Sequence, residues 1–173
     1  MVVTTVAYPF MLQDTATHQD TVPPPATVAP PPSAAPTIEQ IRYLEGLKTA
    51  TRGVAQIRDG LNRVVRTQRA DSLTRRRAAR RLGGLCGTAR SFIASGRPKM
   101  QATAYADSMR VLAKQLTTRL DSLTKTLPIC EQTAGRDPTV ATTLTGRLKN
   151  YDDALLAFRT ALKPDSTKAN SQQ

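Results

Sequence analysis

The chain has 173 residues, enough for one domain and a tail but too few for two ordinary domains. It has no Trp, three Phe and four Tyr, and its apolar residues are mostly Ala, Leu and Val, which favours helices over an aromatic-rich β-sandwich. The net charge of +12 is uneven: residues 1–36 carry Asp14 and Asp20 and no Lys or Arg, whereas residues 37–97 carry 14 Lys or Arg against four acidic residues. Such a field suits acidic proteins, anionic lipid or nucleic acid as partners.

The first twelve residues, MVVTTVAYPFML, are uncharged and mostly apolar, too few to span a bilayer as a helix and without the basic start of a secretory signal. Triple prolines at 23–25 and 30–32 and Pro36 follow, among Thr and Ala. This stretch resembles the low-complexity spacers that follow export signals in bacterial envelope proteins. It cannot bury enough apolar area to offset its ordering entropy, and proline favours polyproline II, so residues 1–36 are predicted to be an extended tail. Val2, Val3, Tyr8, Phe10 and Leu12 are its candidate partner anchors. An exported, periplasmic or cell-envelope location is expected.

Helical signals begin after Pro36 and run to residue 163, with a polar C-terminal tail at 164–173. Thr37 and Gln40 fit a capping box. Tyr43, Leu47, Ala50, Val54, Ile57, Leu61 and Val64 then recur at spacings of four and three, one apolar seam. Gly46, Gly53 and Gly60 repeat at heptad spacing beside it, which predicts close approach of another backbone, since each costs a helix about 1 kcal/mol relative to Ala. A break near Ala70, with Asp71 or Ser72 as cap, is preferred to one long bent helix.

The second segment, 72–94, has Ala78, Leu82, Leu85, Ala89, Phe92 and Ile93 on its apolar side. A third helix is predicted from Pro98, carrying Tyr105, Met109, Leu112, Leu116, Leu120, Leu123 and Leu127 and ending at Pro128. CEQTAGRDP at 130–138 reads as a loop with Asp137 as cap and Pro138 at the first helical position. The last helix carries Val140, Leu144, Leu148, Tyr151, Leu155, Phe158 and Leu162. The expected fold is therefore all-α, an antiparallel bundle of three to four long amphipathic helices.

Cys86 and Cys130 are the only cysteines, too few for a tetrahedral metal site, and a disulfide is the economical expectation for an exported chain. It sits awkwardly with a straight third helix of about 45 Å, so either the disulfide is absent or a helix bends, with Gly83–Gly84 the expected place.

The densest chemistry is SLTRRRAARRLGG at 72–84, where Arg75, Arg76, Arg77, Arg80 and Arg81 cover most of a helix circumference. With Arg63, Arg66 and Arg69 they form the candidate basic docking face. No aromatic lies between Tyr43 and Phe92 to stack bases, and no nucleic-acid-binding motif is visible, so nucleic acid ranks below an acidic protein surface, and an anionic membrane surface is a further candidate. His18 is the only histidine and lies in the tail, Asp152 and Asp153 point about 100° apart on a helix, and no phosphate-binding glycine loop is present. No catalytic residue, cofactor, metal or small-molecule ligand is expected. The reading that follows is a non-enzymatic adaptor or stabilising subunit of a membrane-associated protein complex, engaging other subunits through its tail and basic face. The alternatives are a polyanion binder using the same arginines and a periplasmic carrier of an apolar ligand.

Overall fold

The computed structural model describes residues 35–134 and 137–163, which are helices and turns with no strand among them. The tail anchors Val2, Val3, Tyr8, Phe10 and Leu12 lie outside the described residues, as do His18 and the segment 164–173.

Helix α1, Ile38–Arg66, starts at the expected capping box: the Gln40 amide N–H donates to Thr37 Oγ1 at 3.3 Å and the Thr37 N–H donates to Gln40 Oε1 at 3.0 Å. The chain turns at 67–71, and α2, Ser72–Gly96, runs back along α1. Asp71 caps it, its Oδ1 accepting from the Leu73 and Thr74 amides at 2.8 and 2.9 Å. The pair packs closely because of its small residues. A Cβ placed on Gly46 would lie 2.6 Å from the Gly96 carbonyl oxygen, one on Gly53 2.7 Å from that of Ala89, and one on Gly60 2.7 Å from Leu82 Cδ1. Stepping seven residues up α1 steps seven down α2, so the glycine heptad sets an antiparallel register.

The third helix is shorter than the sequence periodicity predicts. Pro98 belongs to a 3₁₀ turn, Arg97–Lys99, a second 3₁₀ turn spans Ala102–Ala104, and α3 begins only at Asp107 and ends at Thr124. Tyr105 sits in extended backbone before α3, yet reaches the core. Pro128 does not end this helix. It occupies the first turn of a separate seven-residue helix α4, Leu127–Thr133, where its missing N–H costs nothing, so Cys130–Thr133 is helix rather than loop. Helix α5, Thr139–Leu162, follows, with Asp137 Oδ1 accepting from the Thr139 amide at 2.8 Å. Pro138 stands just before α5 rather than at its first position.

These corrections remove the obstacle to the disulfide. An 18-residue α3 is about 27 Å long, and α4 then lies against α2, which brings Cys86 and Cys130 to a Cα separation of 6.1 Å, bonded. Helix α2 runs through Gly83–Gly84 without a break, and Gly83 serves to seat α4, a Cβ there lying 3.2 Å from the Glu131 carbonyl oxygen.

The four long helices, α1, α2, α3 and α5, form an antiparallel bundle around one core that includes Ile57, Leu82, Ile93, Leu116, Leu120 and Leu144. At the end where α1 begins, Tyr43, Tyr105 and Phe158 pack together with ring centroids 5.2–5.4 Å apart. Leu85, Phe92, Met109 and Leu112, expected at core positions, are half-buried, and Leu162 is exposed.

Candidate functional site

The turn between α1 and α2 gathers the charge. Eight arginines and one acidic residue, Asp71, lie between Arg63 and Arg81. Helix α1 ends at Thr67, whose amide and hydroxyl both donate to the carbonyls of Arg63 and Val64. Two tight hydrogen bonds close the turn, Gln68 N–H to the Val65 carbonyl at 3.2 Å and Ala70 N–H to that of Thr67 at 3.0 Å. Asp71 then restarts the helix; the Thr74 hydroxyl, with the Thr74 and Leu73 amides, holds its carboxyl below the ordinary aspartate range. Its charge is thus committed to the cap.

Arg66, Arg69, Arg75, Arg76, Arg77, Arg80 and Arg81 are all exposed, and Arg63 is half-buried. Arg63 pairs with Asp59 at 3.1 Å, and Arg66 Nε donates to the Asn62 carbonyl at 3.3 Å. None of the other six forms an ion pair with a carboxylate among the described residues. Arg75 is the informative one. It lies one heptad before buried Leu82, on the same side of α2, yet is exposed, so the apolar core stops short of the first turn of α2.

The antiparallel register divides the arginines between two clefts. Arg63 and Arg66 of α1 meet Arg77 and Arg81 of α2 around a cleft of about 480 Å³ that also touches Asp59, Thr67 and Thr74. On the other side, Arg75 and Arg76 line a cleft of about 360 Å³ with Asp137 and Pro138 at the start of α5. The sequence reading located the charge but missed this convergence. The signal was present: once the glycines are taken as an antiparallel register, Arg66 falls beside Arg76 and Arg77.

The turn also carries two apolar side chains in the open. Val65, in the last turn of α1, is 59% exposed, and Leu73, in the first turn of α2, is 56% exposed. Both are flanked in sequence by arginines of the cluster.

Elsewhere, a groove of about 510 Å³ between α1 and α5 is lined by Leu44, Leu47, Ala55 and Leu162 and edged by Lys48, Arg52 and Arg159. The aromatic residues Tyr43, Tyr105 and Phe158 fill the core rather than line a cavity, and the Tyr151 hydroxyl lies 3.2 Å from that of Thr51. Asp152 and Asp153 serve separate ion pairs, with Arg58 at 2.7 Å and Lys149 at 2.8 Å. Among the described residues no three His, Cys, Asp or Glu side chains group as a metal site, and no helix is long and apolar enough to cross a membrane.

Fold and site together define a disulfide-clamped antiparallel helical bundle with an arginine-rich hairpin end. No family model matches the chain, and no curated protein or solved structure does so.

Proposed function

We propose that this protein is a non-enzymatic adaptor or stabilising subunit of a larger, membrane-associated assembly on the exported, cell-envelope side, held by its N-terminal tail and its basic hairpin end. The observation that carries this reading is the concentration of exposed arginines at one end of the bundle, where no carboxylate of the described residues forms an ion pair with Arg69, Arg75, Arg76, Arg77, Arg80 or Arg81. Like charges packed this closely destabilise the isolated fold and favour an anionic surface that relieves them. The Cys86–Cys130 disulfide supports an oxidising compartment.

The test is gentle affinity purification of the tagged full chain from membrane and soluble fractions, with and without nuclease. Stoichiometric, nuclease-resistant recovery with a membrane complex, lost when residues 1–36 are deleted, is the expected result. Recovery alone, or with nuclease-sensitive polyanion, overturns it. The second outcome favours the polyanion reading, in which Arg63, Arg66, Arg77 and Arg81 grip phosphates across their shared cleft.

A further inference from the structure

We infer that the α1–α2 hairpin end docks end-on into the headgroup layer of an anionic phospholipid bilayer, with Val65 and Leu73 entering among the arginines. This deepens the proposed function by naming what the basic end meets, and rests on that reading only for the presence of a membrane.

Three observations converge on it. The first is the direction of the charges. Arg75, Arg76, Arg77, Arg80 and Arg81 leave α2 over an arc of about 240°, at about 100° per residue, while Arg63 and Arg66 come from the neighbouring helix. A partner lying along one side of the hairpin reaches only some of them. A plane of anionic groups approached along the hairpin axis meets the arginines nearest the turn, Arg66, Arg69, Arg75, Arg76 and Arg77, whichever side of the hairpin they leave from. The second is the exposure of Arg75 on the core-facing side of α2, where the packing opens into a cleft instead of closing over the first turn. The third is apolar: Val65 and Leu73 stand exposed in the two helical turns that border residues 67–71. Charge alone accounts for an anionic partner, but two open aliphatic side chains inside a basic cluster match a surface with apolar depth beneath its charges. The acidic groups at this end are internally committed, Asp59 to Arg63, Asp71 to the helix cap and Asp137 to the Thr139 amide and hydroxyl, so they do little to oppose the approach.

The chain has no tryptophan, so a single introduced indole reports cleanly on depth. Full-length Leu73→Trp and, as a control remote from the hairpin end, Leu156→Trp are titrated with vesicles of phosphatidylcholine alone and with 30% phosphatidylglycerol, a composition chosen for the probe. Leu156 is 67% exposed on α5, in the half of that helix near Phe158 and the Tyr43 cluster. The inference predicts a blue-shifted, quencher-protected Leu73→Trp signal with the anionic vesicles only, and no shift at Leu156→Trp. Arg66, Arg69, Arg75, Arg76 and Arg77, changed singly to Gln, should each weaken partitioning roughly fivefold. The Val65→Ser/Leu73→Ser variant should lose about tenfold in vesicle binding while keeping its affinity for soluble polyphosphate. No blue shift at Leu73→Trp, or vesicle binding indifferent to Val65 and Leu73, overturns the inference. Because purified vesicles contain no protein partner, failure here leaves the adaptor reading standing, and failure to recover a complex leaves this result unaffected.

Discussion

Gly46 of α1 and Gly96 of α2 face each other so closely that a Cβ on Gly46 would lie 2.6 Å from the Gly96 carbonyl oxygen, and one on Gly96 2.5 Å from that of Gly46. Backbone, unlike a flexible side chain, cannot step aside, so a methyl group here pushes the two helices apart. Ala for Gly in a helix gains about 1 kcal/mol in propensity, but overpacking costs about 1–3 kcal/mol. Gly96→Ala is therefore expected to lower stability in urea unfolding. Gly84→Ala, also in α2 but with nothing within 4 Å of the added Cβ, should raise it by about 0.5–1 kcal/mol. The opposite signs within one helix isolate close approach from propensity.

The disulfide closes a sequence separation of 44 residues and fastens α4 to the middle of α2. A loop of this size makes the crosslink worth about 2–4 kcal/mol, mostly by restricting the unfolded chain. The Cys86→Ala/Cys130→Ala variant should show that loss in urea unfolding. Helix α4 buries only Leu127 and Cys130, so its amides should lose hydrogen-exchange protection first, while those of the α1–α2 pair stay protected. Equal loss of protection across both would mean that the bond holds the whole bundle rather than α4.

Much of this architecture was legible in the sequence because it is periodic. The α1 seam from Tyr43 to Leu61 is buried, and the heptad glycines do meet another backbone. Periodicity reports which side chains reach the core, however, and not the backbone that delivers them. Tyr105 keeps the phase of the third helix and is buried, but from extended chain with φ −118° and ψ 156°. Pro128 is equally compatible with stopping one helix and starting the next. Taking it as a stop lengthened the third helix and set the two cysteines apart. The arginines could be counted in the sequence, whereas their sharing of a cleft depends on the register between two helices. Val65 and Leu73 carried no mark, since only the end of the core leaves them exposed.

Asp71 links the basic end to stability. Its carboxyl is held low by the Thr74 hydroxyl and by the Thr74 and Leu73 amides, so its contribution is fully present above the ordinary aspartate pKa of about 3.9. That contribution is lost as the pH falls through the depressed folded value. Asp71→Ala should lower the melting temperature by a few degrees at pH 7. The gap from the wild type should close as both proteins are taken to pH 2. A gap unchanged by acid would mean that the side chain acts by something other than its charge-assisted cap.

Tyr43 and Tyr105 touch edge to face at 5.2 Å, yet their hydroxyls differ. The Tyr43 hydroxyl donates to the Ala113 carbonyl at 3.1 Å, whereas that of Tyr105 is buried without a partner among the described residues. Removing a made hydrogen bond costs about 1 kcal/mol, whereas removing a stranded hydroxyl recovers a similar desolvation penalty. Tyr43→Phe should therefore destabilise the bundle at pH 7 and Tyr105→Phe should stabilise it. Burial, foremost, raises the Tyr43 phenol well above its ordinary range, and it also raises Tyr105 and Tyr151. With the folded pKa above the unfolded value of about 10, the unfolded chain releases its protons first. Stability is then full below pH 10 and declines as the pH rises beyond it. Denaturant midpoints at pH 7, 9, 10.5 and 11.5 should fall over the last two for the wild type. The fall should be shallower for each Phe variant, because each removes one phenol that the unfolded chain ionises more readily. A parallel fall in all three proteins would show that other groups govern alkaline unfolding.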